Sequence, residues 1–271
     1  MMQTKCKIFG KSLTFFASLL TSLAVYAQSD PLLGQKAPAG TKADGKLTEW
    51  ASLPLYNKST QLHYTVANDA NNIYLAFTCT DATSINKILG GGLTIAINKD
   101  GKKKEKDAAV VSYPLSGGGM RMLRGGNRQG GTNIDTAALV TSRKQIITGM
   151  KEVGITGIKD ITDTLISIYN VYSLKAAMNV DSKANLIYEL AIPLKLLELD
   201  ASSATEIAFN VKVNGIQFNN NRMNINVDGG ARSGSFDGGG MRMGGGFGGG
   251  QGMMELTTPS DFWSKYKLAK P

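Results

Sequence analysis

Three carboxylates, three tyrosines and two arginine-methionine clusters are the residues of this 271-residue chain whose types and placement can do chemistry. Asp44 and Asp69 stand in the turn-forming runs Asp44-Gly45 and Asn68-Asp-Ala-Asn-Asn72, and Glu189 stands in the alternating run Tyr188-Glu-Leu-Ala-Ile192. Carboxylate oxygens suit calcium, so Asp44, Asp69 and Glu189 form one candidate metal set. The other reading makes the first two ordinary turn residues and Glu189 a solvated strand residue. Tyr113, Tyr169 and Tyr172 offer rings that stack on a sugar or pack a strand face. The single histidine, His63, lies in an alternating strand pattern, where an ordinary imidazole is favoured over an axial haem ligand.

The hexapeptide Gly-Gly-Gly-Met-Arg-Met occurs twice, at 117–122 and 238–243, each time within a glycine-rich stretch. Such composition cannot bury a core and carries a high ordering entropy, so both stretches read as long loops. Arg121, Arg124, Arg128, Arg232 and Arg242 can attract an anionic surface. Met120, Met122, Met241, Met243, Met253 and Met254 are soft thioether donors of the kind that ligate copper or haem. Arg121 and Arg242 are the arginines of the repeat itself and join the tyrosines as candidate ligand-binding residues. No Ser/His/Asp order, metal-binding His-Glu-x-x-His helix or nucleotide-binding glycine pattern stands in context, so no turnover is expected.

The elements that must position these residues are strands. Leu62–Ala67 and Ile73–Cys79 flank the Asn68–Asn72 turn and predict a hairpin. Leu93–Asn98 and Ala108–Tyr113 predict a second pair across a basic loop. Further strands are expected at Leu165–Tyr172, Leu174–Val180, Leu186–Ile192 and Glu206–Val213. One segment breaks the β rhythm: Asp135–Lys151 reads as a helix capped by Asp135, with Leu139, Ile146, Ile147 and Met150 on one face and Arg143 and Lys144 on the other. Pro193 ends a strand and opens a single turn through Leu197.

Lys5, Lys7 and Lys11 precede an apolar run from Leu13 to Val25, and Val25-Tyr-Ala27 fits a cleavage site, so residues 1–27 are expected to be a signal peptide. Its removal takes away three lysines and no acid, lowering the net charge from +9 to +6. Cys79 is then the only cysteine, read as a small buried hydrophobe. An exported, periplasmic or extracellular chain has little occasion to meet nucleic acid, and no later segment is apolar enough to span a bilayer.

Taken jointly and in order, Lys42-Ala-Asp-Gly-Lys-Leu-Thr-Glu-Trp50, Asn68-Asp-Ala-Asn-Asn-Ile-Tyr-Leu-Ala76, Gly90–Asn98 and Tyr188-Glu-Leu-Ala-Ile-Pro-Leu194 resemble the family 9 carbohydrate-binding modules and their DOMON-like relatives. The resemblance covers residues 40 to 213. It implies a single antiparallel sandwich, jelly-roll or immunoglobulin-like; with the helix and glycine-rich stretches read above, the expected fold is mainly β with one inserted helix and glycine-rich loops. The resemblance also implies sugar binding between aromatic rings, sometimes with bound calcium, and in some relatives haem. Only Trp50 and Trp263 are present to supply indole rings; Trp50 belongs to the first motif and Trp263 to a C-terminal docking segment. The expected layout is a linker at 28–39, the sandwich at 40–228, a Gly/Met/Arg-rich loop at 229–252 and the docking segment at 253–271. The expected function is non-catalytic binding of a glycan or other cell-envelope component, or presentation of the Gly-Met-Arg loops to a protein partner.

Overall fold

The computed structural model describes residues 32–115, 135–217 and 249–271; the leader and the two Gly-Met-Arg repeats lie outside them. The chain is mainly β, with two antiparallel sheets facing one another as a sandwich. The first is built from β1 (Leu55–Asn57), β2 (Leu62–Asn68), β3 (Asn72–Cys79), β8 (Lys175–Val180) and β9 (Leu186–Pro193), in the order β1-β2-β3-β9-β8. The second is built from β4 (Leu93–Asn98), β5 (Ala109–Tyr113), β6 (Glu152–Thr156), β7 (Leu165–Ser167), β10 (Glu206–Val213) and β11 (Ser260–Lys267), in the order β11-β10-β4-β5-β6-β7.

Alternation along each strand divides its side chains between two faces. Ile73, Leu75, Phe77 and Cys79 of β3 and Leu186, Tyr188, Leu190 and Ile192 of β9 point into the sandwich. They meet Leu93, Ile95 and Ile97 of β4 and Ile207, Phe209, Val211 and Val213 of β10. Full burial of each such side chain is worth about 1.5–3 kcal/mol, so this shared core is what holds the sheets together. Cys79 is buried within it, and desolvation pushes its thiol up to about 11.

Three α-helices accompany the sheets among the described residues. Asp81 caps α1 (Ala82–Gly91) by accepting from the Ser84 N–H at 2.7 Å. Ile85, Ile88 and Leu89 of α1 enter the core between the sheets, so the helix plugs one end of the sandwich. The expected helix is α2 (Thr136–Thr148), with Asp135 accepting from the Ala137 N–H at 2.9 Å. One detail of that expectation is corrected: Arg143 is not on the solvent face but is the buried residue of α2, donating to the Ala184 carbonyl. Positions 139, 143, 146 and 150 form one helical stripe, so the spacing that selects Leu139 and Ile146 also selects Arg143. The third helix, α3 (Gly249–Thr257), packs against α1.

Residues 32–39, read as a linker, are bound along their length. Leu32 N–H donates to Lys265 O, and its carbonyl accepts from Lys267 N–H; Ala37 N–H donates to Asn68 O, and Asn68 N–H to Gln35 O. Asn68 links the 35–37 segment to the C-terminal residues, its Oδ1 accepting from Tyr266 Oη at 2.8 Å and from Ala269 N–H at 2.8 Å. β11 lies beside β10 along its whole length, from Ser260 opposite Val213 to Lys267 opposite Glu206, so the C-terminal residues supply a sheet strand.

Candidate functional site

Glu189 is the first candidate, and its surroundings give it a structural task. It lies on the outer face of the five-stranded sheet, where Ala67, Ala76 and Ala191 leave room for the 37–53 segment to lie flat. The Asp44-Gly45 turn wraps the carboxylate: Asp44, Gly45 and Lys46 N–H donate to Oε2 at 3.1, 2.9 and 3.2 Å, and Trp50 Nε1 donates to Oε1 at 2.9 Å. The Trp50 indole packs edge-on against Tyr74 with ring centroids 6.5 Å apart. Glu189 is 2% exposed, so it is not the solvated strand residue of one expectation. Burial raises its carboxyl above the ordinary value, against the pull of the Trp50, Gly45 and Asp44 donors.

The expected calcium set is not brought together. Asp69 accepts from the Asn71 and Asn72 N–H groups at 2.7 Å each and from Tyr74 Oη at 2.8 Å, closing the β2–β3 turn. That turn adjoins the Asn72–Pro193 pair, whereas Glu189 pairs with Ala76, four residues or about 13 Å along the strand. Asp44 accepts from the Lys46 N–H within its own turn. Among the described residues no three His, Cys, Asp or Glu side chains are grouped to hold a metal ion. His63 projects from the outer face of β2 and lies against the Tyr56 ring, with centroids 4.7 Å apart.

Of the remaining candidates, Tyr113, Tyr169 and Tyr172 belong to one end of the six-stranded sheet. At that end Leu93, which opens β4, pairs with Tyr113 at the end of β5 and with Val213 at the end of β10. Segment 116–134 departs just after the first of these strand ends and segment 218–248 just after the second. Arg121 and Arg242 belong to those segments and lie outside the described residues. The backbone beneath is crowded: Gly92 has φ +88°, and a Cβ on Gly215 would sit 1.8 Å from the Thr257 carbonyl oxygen.

The β7–β8 turn stands at the same end, since β7 finishes beside the start of β6. Tyr169 and Tyr172 both belong to this turn rather than to a strand. Asn170 holds it closed, its Nδ2 donating to the Ser167 and Leu174 carbonyls at 2.9 and 2.8 Å while its Oδ1 accepts from the Tyr172 N–H at 3.1 Å. The held turn displays Tyr169, 74% exposed, and Val171, 91% exposed, with Lys151 Nζ 5.7 Å from the Tyr169 ring centroid. Tyr172 is half-buried against the core. Tyr113 offers no face to a ligand: it is 3% exposed, donates to the Met150 carbonyl at 3.3 Å and packs near Tyr188 inside the sandwich.

A cavity of about 460 Å³ opens at this end, lined by Gly91, Lys212, Asn214, Gly215, Gln217, Thr257 and Pro259. Behind it, Asn214 Nδ2 donates to Thr94 Oγ1 at 3.0 Å, and Thr94 Oγ1 lies 3.0 Å from Ser112 Oγ. Sequence reasoning selects neither this cavity nor its lysine, because α1 and α3 bring its walls together from residues more than a hundred positions apart. Trp263 sits on β11 opposite Asn210, half-buried, outside the cavity lining. None of the described helices is long and apolar enough to cross a membrane. Neither the protein-family models nor the curated proteins contain a match to this chain.

Proposed function

We propose that the chain is an exported, non-catalytic binding module of the carbohydrate-binding type, which meets a glycan or other polar cell-envelope component at the loop-bearing end of its sandwich. The observation that carries this reading is the Asn170-held turn. An exposed tyrosine on a turn already fixed by three hydrogen bonds loses little conformational freedom on binding, and its ring face suits an apolar sugar face. The cavity lies at the same end of the sheet, four strands across from this turn, and its Lys212, Asn214, Gln217 and Thr257 are residues of the kind that read sugar hydroxyls. A glycan array probed with the purified protein and with Tyr169→Ala tests it. Binding by the wild type that Tyr169→Ala weakens about tenfold fits the loss of one stacking ring and its desolvated contacts; silence of the folded wild type across the array removes the reading.

A second reading is favoured by the departure of both Gly-Met-Arg segments from strand ends that flank Leu93. In it the sandwich is a scaffold that offers the two segments together to a protein partner. Such a module is blind to sugars, and deleting 117–122 together with 238–243 abolishes its association while leaving its thermal stability unchanged.

A further inference from the structure

Lys87 is a buried cation that forms no ion pair among the described residues. Ser84, Lys87 and Gly91 of α1 are all buried and fall at helical spacing on one stripe, apart from the Ile85, Ile88 and Leu89 stripe that enters the core. α3 packs on this helix, and the Lys87 ammonium, on a residue 6% exposed, donates to the Ser260 hydroxyl at 3.4 Å. Asp81 and Glu255 lie in its neighbourhood, yet neither comes within 4 Å of it as an ion pair. Burial accordingly pulls this ammonium below the ordinary lysine range. A buried charge with so little compensation is costly unless something else neutralises it.

The cavity adjoins this cation at two points. Gly91, in its lining, is one helical turn from Lys87, and Pro259, also in its lining, directly precedes Ser260. A second ammonium, Lys212, lines the cavity itself. Asp261 stands opposite Lys212 in the strand register, but its Oδ2 accepts from Asn210 Nδ2 at 2.8 Å, and it makes no ion pair with Lys212. Among the described residues no carboxylate lines the cavity, whereas Gln217 and Thr257 do.

We propose that this cavity binds an oxyanion, a carboxylate, sulfate or phosphate group, with Lys87 and Lys212 as its counter-charges. One ammonium in the wall, a second on the helix turn that precedes the lining residue Gly91, and neutral polar residues beside them match the charge and the acceptor-only chemistry of such a group. On the proposed binding-module reading, on which only the sugar part of the ligand rests, the glycan recognised at this end is an acidic one.

The test follows thermal unfolding and calorimetric titration of the full chain with sodium glucuronate, glucose 6-phosphate, inorganic phosphate and glucose at constant ionic strength. The wild type is expected to bind at least one of the three oxyanions and to unfold at a higher temperature in its presence, as a ligand of the folded state requires. Glucose alone gives no response. Lys87→Met, which removes a buried charge, unfolds at the same or a higher temperature than the ligand-free wild type and does not respond to the anion. Lys212→Met folds normally and binds about tenfold or more weakly, the loss of one charge-assisted contact; Lys175→Met, on the exposed face of β8, responds as the wild type does. Phosphate binding without glucuronate binding supports the oxyanion site while counting against the glycan. Equal binding of glucose and glucuronate, or an undiminished anion response in Lys87→Met, overturns the site and leaves the glycan reading standing.

Discussion

The Glu189 latch and the loop-bearing end use polar groups in opposite ways. At the latch one buried carboxylate receives four N–H donors, every polar partner is supplied by the chain, and the result is a closed clamp on the 37–53 segment. At the other end two ammoniums lack ion-pair partners among the described residues, a tyrosine and a valine stand in solvent, and a cavity lies open across the sheet from them. Satisfied polar groups stabilise a fold, and unsatisfied ones mark where a second molecule completes the set. The contrast gives the first region an architectural task and is the ground on which recognition is proposed for the second.

The sharpest way to break this comparison is to empty the latch. Glu189→Ala leaves the Asp44 and Gly45 N–H groups and the Trp50 indole N–H without their acceptor, the last two of them buried, while the Lys46 N–H keeps Asp44 Oδ1. At about 1–3 kcal/mol for each unsatisfied buried group, partly relieved by water, the variant should lose at least about 3 kcal/mol in urea unfolding. A loss below about 1 kcal/mol would mean the clamp contributes little. Gly215→Ala probes the base of the other region. Its Cβ would overlap the Thr257 carbonyl oxygen, and forcing α3 away should cost about 1–3 kcal/mol. It should also weaken ligand binding, because Gly215 and Thr257 both line the cavity. Unchanged stability would show that the platform beneath the loops yields freely.

The same contrast explains what the sequence could reveal. Strand alternation and the turn residues at Asp44-Gly45 and Asn68–Asn72 are local signals, so the two sheets, both hairpins and the Asp135 cap were legible. The side of β9 to which Glu189 points was legible too, opposite Tyr188 and Leu190. That this outer side is itself covered was not, because its cover comes from a segment more than a hundred residues away. Helix α1 carried a readable signal in Asp81 followed by Ile85, Ile88 and Leu89, masked by the glycines at 90–92. The run Leu165–Tyr172 reads as one strand, but only Leu165–Ser167 is paired; Asn170, a residue that fixes turns through its side chain, marks the break. The cavity had no signature at all, because its lysines are far apart in the chain and ordinary in type.

A smaller effect is expected from the turn that displays Tyr169. Asn170→Ala removes three side-chain hydrogen bonds, one exposed to solvent and two partly buried, and should cost about 1 kcal/mol or slightly more. The comparison gains from the second readout: glycan affinity should fall along with turn rigidity, whereas Tyr169→Ala should lose affinity with stability changed by less than about 0.5 kcal/mol. Asn170→Ala with lowered stability and intact affinity would separate the turn from recognition.

The smallest expected effect is the pH dependence that Glu189 lends to the fold. Its carboxyl is raised above the ordinary glutamate value of 4.5, with burial the leading cause, so the folded protein holds the proton more tightly than the unfolded chain. The resulting stability is fully present below that value and is lost as pH rises through the folded value. Asp69 titrates in the opposite sense. Burial would raise it, but the Asn71 and Asn72 amides and Tyr74 together hold it below 3.8, so its contribution is present above that value and lost as pH falls through the folded one. Between about pH 4 and about pH 6 the wild type should therefore lose more stability with rising pH than Glu189→Gln does, by a slope no steeper than one proton allows, about 1.4 kcal/mol per pH unit. Urea midpoints of both proteins across that range make the measurement. Parallel curves would mean that the four donors offset burial completely, leaving the latch with the same proton affinity folded and unfolded.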